Sequence, residues 1–180
     1  MAKSRDVTLK DEKILDRWGI VIENAQGNMD ELYQDTQGFI TASEAPGVEV
    51  ELVLAKPDMG MVERMVKGTG ARGYLMITNQ WLKDYHMYVG ARDYGKNLDV
   101  QWYLSCEPGF LSRSFSQAIT KGSSDNAWSF NLDLFQQQDL SAYTTVMHHC
   151  LLKAVEKLMS RLGQDISSID RKSKGFLGVS

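Results

Sequence analysis

The chain has 180 residues, 43% of them hydrophobic and 24% charged, with a formal net charge of −3 and a pI near 5.6. That balance belongs to a folded domain with a real core and excludes a wholly disordered chain. The mild acidity sets nucleic acid aside as a general partner, and no apolar run reaches the length of a membrane span.

Met1 to Asp6 lack the apolar core of a secretory signal, and no Asn-x-Ser/Thr sequon occurs, so a cytoplasmic location is expected. Thr8 with Asp11 resembles a capping box and opens a helix running to about Ala25. Its apolar positions are Ile14, Leu15, Trp18, Val21 and Ile22, with Gly19 as a weak point. Gly27 ends it, and Asn28 with Glu31 starts a second, short helix carrying Met29, Leu32, Tyr33 and Thr36 on one side. Residues 1–40 therefore read as an N-terminal helical segment.

Ala45-Pro46-Gly47 is a turn, after which Val48, Val50, Leu52 and Leu54 alternate with Glu49 and Glu51 as the first strand. Lys56-Pro57-Asp58 ends it and launches a short helix through Met59, Val62, Met65 and Val66. Gly68 to Gly73 matches G-x-G-x-x-G, but a helix precedes it and a strand follows. A dinucleotide site needs the reverse order, so this segment reads as a connection.

Tyr74 to Thr78, Tyr85 to Arg92 and Leu98 to Cys106 form a meander of strands. A four-residue turn at Asp93-Tyr94-Gly95-Lys96 would pair Met87 with Trp102, Val89 with Val100 and Tyr85 with Leu104 on one face. The other face then carries Asp84, His86, Tyr88 and Arg92 beside Asp99, Gln101, Tyr103 and Ser105. In that register His86 lies next to Tyr103, and Tyr88 next to Gln101.

Residues 110–125 fit a short helix, an edge strand or a loop. Trp128, Phe130, Leu132 and Leu134 then alternate as a strand, and Asp139 or Ser141 caps a helix of about six turns. Its stripe is Tyr143, Val146, Met147, Cys150, Leu151, Ala154, Leu158 and Leu162. Cys106 and Cys150, the two cysteines, fall on apolar sides and read as buried, reduced thiols. His148-His149-Cys150 has no further ligand three or four residues away on its helix, so neither a metal nor another cofactor is expected. The tail, 165–180, is polar until Arg171, Lys172 and Lys174 meet Phe176 and Leu177.

The expected fold is α+β. A curved antiparallel sheet of about five strands packs on a long C-terminal helix, with one or two N-terminal helices and a main domain over 41–164. This element order is similar to the helix-grip and TATA-binding-like arrangements, a resemblance of order alone that carries no function.

Three functions follow. The first is a non-catalytic domain that binds another protein or itself through His86, Tyr88, Arg92, Gln101, Tyr103, Phe176 and Leu177, since Tyr and Arg are favoured at interfaces. The second is a small apolar-ligand binder whose pocket, between sheet and helix, is lined by Met76, Met87, Trp102, Trp128, Tyr143 and Met147. The third is an acid–base enzyme in which His86 works with Asp84, Tyr88 or Tyr103.

Overall fold

The computed structural model describes residues 5–9, 14–57, 72–106 and 133–175. In chain order these form β1 (Arg5–Leu9), β2 (Ile14–Ile22), α1 (Met29–Ala42), β3 (Val48–Pro57), β4 (Arg72–Asn79), β5 (Tyr85–Tyr94), β6 (Asn97–Cys106), α2 (Leu134–Arg161) and a 3-10 turn, Ile166–Ser168. The expected helix at 59–66, the expected strand at 128–134 up to Leu132, and Phe176 and Leu177 lie outside the described residues.

The fold is α+β. Five strands pair antiparallel in the order β3-β4-β5-β6-β2, and β1 adds to the outer edge of β3 in parallel. The sheet is not strongly curled, unlike the wrapped sheet of the expected arrangement. The inner face is covered by two helices, α1 and α2, that pack on one another. A two-helix layer spans a sheet that one helix could cover only if the sheet wrapped it.

Ile14–Ile22 is a strand, not the expected helix, and α1 is the one N-terminal helix described. Trp18 and Ile22 are buried and satisfy both a spacing of four and a spacing of two, so helical periodicity alone misreads them. The segment Ile-Leu-Asp-Arg-Trp-Gly-Ile-Val-Ile is rich in β-branched and aromatic side chains and has a mid-segment Gly19, which favours the extended chain. A bulge between Ile14 and Asp16 lets Leu15 and Asp16 both turn inward, and both are buried.

β5 and β6 meet at a two-residue turn, Gly95-Lys96, rather than the expected four-residue one. Gly95 supplies the left-handed conformation at φ +64°. The register therefore moves by two: Tyr85 pairs with Cys106, Met87 with Leu104, Val89 with Trp102 and Ala91 with Val100. A shift of two preserves the faces, so the expected inner set stays inside. The core unites these residues with Trp18, Ile22, Leu32, Ile40, Leu75, Ile77, Tyr143, Met147, Leu151, Val155 and Leu158.

β3 departs from its expected faces. Leu52 and Leu54 are exposed, whereas Val53 and Ala55, on the opposite face, are buried. Val53 joins Met76 and Tyr88 in a second, smaller apolar cluster on the outer side of the sheet, with Val7 and Tyr74 packed against it.

α2 begins earlier than expected, at Leu134. Asp133 accepts from the Gln136 N–H at 2.8 Å, and the Gln136 side chain accepts from the Asp133 N–H at 3.2 Å. That reciprocal cap is a capping box nearly two turns ahead of Asp139. α1 and α2 are joined at their surface by Lys157–Asp35 at 2.7 Å and Arg161–Glu31 at 2.8 Å.

After α2 the chain folds back. Residues 169–175 run beside β2, with the Lys174 N–H donating to the Arg17 carbonyl at 2.7 Å and the Trp18 indole N–H donating to the Asp170 carbonyl at 2.5 Å. Ile169 is buried in the core, and Ser173 Oγ donates to Asp16 Oδ2 at 3.0 Å.

Candidate functional site

The outer face of the sheet can be read as rows across the strands. One row runs Gly19, Gln101, Gly90, Tyr74 and Val53 from β2 through β6, β5 and β4 to β3. Its neighbour toward the β5–β6 turn carries Val21, Asp99 and Arg92, with Arg72 on β4 beyond the last β4–β5 pair. Its neighbour on the other side carries Arg17, Tyr103, Tyr88, Met76 and Glu51. The two glycines lower the central row. A Cβ at Gly90 would collide with the Tyr74 ring, and one at Gly19 would sit 3.0 Å from Gln101 Cγ. Tyr74 and Gln101 therefore lie flat along the row.

Two adjoining clefts result. The first, of about 280 Å³, lies over Gly90 between Arg72, Tyr74 and Arg92. The second, of about 320 Å³, lies over Gly19 between Arg17, Val21 and Lys174. Asp99, Gln101 and Tyr103 form the ridge they share.

The ridge is internally bonded. Tyr103 Oη donates to Gln101 Oε1, Gln101 Nε2 donates to Asp99 Oδ1 at 2.9 Å, and Arg92 Nε reaches Asp99 Oδ2 at 2.9 Å. Arg92 also lies over the Tyr94 ring at 5.5 Å. Burial pushes the Tyr103 phenol up, Tyr74 and Asp99 add to that, and Arg17 and Arg72 oppose it. Tyr103 therefore stays a neutral donor.

The first cleft opens where β4 and β5 separate. Their pairing stops at Tyr74 with Gly90, and beyond it the Tyr33 hydroxyl from α1 stands between the strands. It accepts from the Ala91 N–H and donates to the Gly73 carbonyl, both at 2.9 Å. Burial is the main cause that pushes the Tyr33 phenol up to about 12, partly offset by the Ala91 bond. A side chain from the inner layer thus replaces a direct strand-to-strand bond at the floor of the outer cleft.

Of the expected binding residues, Arg92, Gln101 and Tyr103 come together here. Tyr88 is buried in the small outer cluster and pairs with Tyr103 rather than Gln101. His86 pairs with Ser105, not Tyr103, because of the register shift, and packs edge-on to Tyr88 with ring centroids 6.3 Å apart. That register removes the expected His86–Tyr103 pairing of the acid–base reading. Of the expected apolar pocket lining, Met87, Trp102, Tyr143 and Met147 are packed into the core, whereas Met76 faces the outer side. Trp128, like Phe176 and Leu177, lies outside the described residues.

Arg17, Gly19, Arg72, Tyr74 and Gly90 are not among the expected site residues, and Lys174 is expected only as part of the basic tail. Alternation in β4, with Leu75 and Ile77 inward, would have placed Arg72 and Tyr74 outward beside Arg92. Arg17 and Gly19 were hidden by the helical reading of β2, and Lys174 arrives only through the returning tail.

His148, on α2, is fully buried and structural. Its Nδ1 accepts from the Trp102 indole at 2.8 Å, which leaves Nε2 to donate to the Arg171 carbonyl at 2.7 Å. Among the described residues no group of three His, Cys, Asp or Glu side chains could hold a metal ion, and no helix is long and apolar enough to cross a membrane. Compared with family models, curated proteins and solved structures, the chain matches none at a significant level, so the site rests on its own geometry.

Proposed function

We propose that the chain is a non-catalytic domain that recognises another protein through the outer face of its sheet. The observation that carries this reading is the pair of adjoining clefts around the Tyr103–Gln101–Asp99 ridge, on the face that the helices leave uncovered. The inner face is spent on the core. The ridge groups are held by one another, an arrangement suited to fixed recognition, and among the described residues nothing around them has the pairing of nucleophile and base that covalent chemistry requires. Tyr and Arg side chains at a partly desolvated ridge are the residue types that concentrate binding energy.

The test is a photo-crosslinking amino acid at Val21, which lines the second cleft and is exposed, with Lys153 on α2 as the control position. In cells, the Val21 position is expected to give a discrete protein adduct, identified by mass spectrometry. Its yield should fall in Tyr103→Ala, with circular dichroism confirming the fold. An adduct of twice the chain mass would identify the partner as a second copy. No adduct at Val21, or the same adducts from Lys153, would overturn the reading.

A further inference from the structure

Although the chain as a whole carries a net charge of −3, the two clefts gather four cations: Arg72 and Arg92 around the first, Arg17 and Lys174 around the second. Among the described residues, Asp99 is the one carboxylate lining either cleft, and it is engaged by Arg92 and Gln101. Among the described residues, no carboxylate pairs with Arg17, Arg72 or Lys174. A local inversion of charge around unpaired guanidinium and ammonium groups is an anion-binding surface.

The layout restricts the anion. Arg72 on β4 and Arg17 on β2 are three strand intervals apart, about 14 Å, and two outward rows apart along the strands, about 13 Å, which makes about 19 Å in all. No single carboxylate or phosphate bridges that distance. An extended peptide rises about 3.3 Å per residue, so acidic side chains about six residues apart match it. The central row, lowered by Gly19 and Gly90, supplies a path across the strands from one cation pair to the other. The ring faces argue against a nucleic-acid strand. Tyr74 lies on Gly90 and meets the Tyr88 ring edge-on, 6.5 Å between centroids, so its face is engaged rather than open for base stacking.

We infer that the outer face binds an extended acidic segment of a partner protein, lying across β4, β5, β6 and β2, with one carboxylate at Arg72 and Arg92 and another at Arg17 and Lys174. This rests on the protein-binding reading above and gives its partner a chemical class. Arg72 and Arg17 present planar forks that can take a carboxylate two-pronged, and Lys174 contributes a point charge from the returning tail.

The test is an NMR titration of the full chain with a Gly/Ser peptide bearing glutamates six residues apart. Saturable shifts are expected at the Gly19, Gly73 and Gly90 amides and the Gln101 side-chain amide. Arg17→Glu and Arg72→Glu should each weaken binding about tenfold or more, while Lys153→Glu leaves it unchanged. Both arginines are exposed, and melting curves will show that these variants fold. The inference is overturned if the peptide gives no shifts, if its glutamine version gives the same ones, or if inorganic phosphate alone reproduces them. Tighter binding of a single-stranded oligonucleotide overturns it in favour of nucleic acid. If the Val21 crosslink persists in Arg17→Glu and Arg72→Glu, the interface stands and the acidic segment falls. If the Val21 crosslink is itself absent, the underlying reading falls.

Discussion

Tyr33 and His148 are each held at both ends by the groups around them. The Tyr33 hydroxyl satisfies one amide and one carbonyl that would otherwise meet across β4 and β5. Tyr33→Phe leaves the Ala91 N–H and Gly73 carbonyl without that partner, which is expected to cost about 1–3 kcal/mol in urea unfolding. If instead the strands zip together, the loss will be smaller and the first cleft will narrow. His148 makes a different prediction. Its imidazole is held below the ordinary range chiefly by burial, with His149 and Arg171 adding to this and the Arg171 carbonyl and Asp16 opposing it. A lowered folded value means that the unfolded chain takes the proton more readily. The stabilisation is thus present above the unfolded value, about 6.5, and is lost as pH falls through the window below it. Protonation also removes the acceptor used by the Trp102 indole. Denaturation midpoints measured from neutral to mildly acidic pH should fall more steeply for the wild-type chain than for His148→Gln.

At the scale of elements, the places where the sequence is legible are those where one periodicity excludes the other. β5 and β6 alternate so strictly that their faces survive an error in turn length, and only partner assignments change. The pairing of His86 with Tyr103 was one of those assignments. β2 is the opposite case, because Trp18 and Ile22 fit either period and a plausible cap at Thr8 tips the choice toward helix. The α2 cap was misplaced because Gln136, Gln137 and Gln138 look like a linker, yet Gln136 is the third helical residue of a capping box. Asp133→Ala should cost about 1 kcal/mol. The effect should be confined to the first turn, where Leu134 and Phe135 are exposed, and amide exchange should speed there before it does near Met147. The clefts were the least legible part. They depend on two glycines in register across three strands and on a tail lysine, and no local window contains all of these.

For the molecule as a whole, the returning tail is a structural member. It carries Ile169 into the core, accepts the Trp18 indole at Asp170 and the His148 imidazole at Arg171, and ties Arg171 to Glu156 at 2.5 Å. Ending the chain after Gly163 removes all of these together. A lower melting temperature is expected, with loss of the second cleft, which Lys174 helps to line. An unchanged melting curve would show that the tail is passive. The same tail also lies along β2, the last strand on its side of the sheet, and occupies the Arg17 carbonyl. An open strand edge is a template on which further strands, from the same chain or another, can add without limit. With the tail in place, a strand adding at this point of the β2 edge must first displace it, so the segment that completes the second cleft also guards part of that edge.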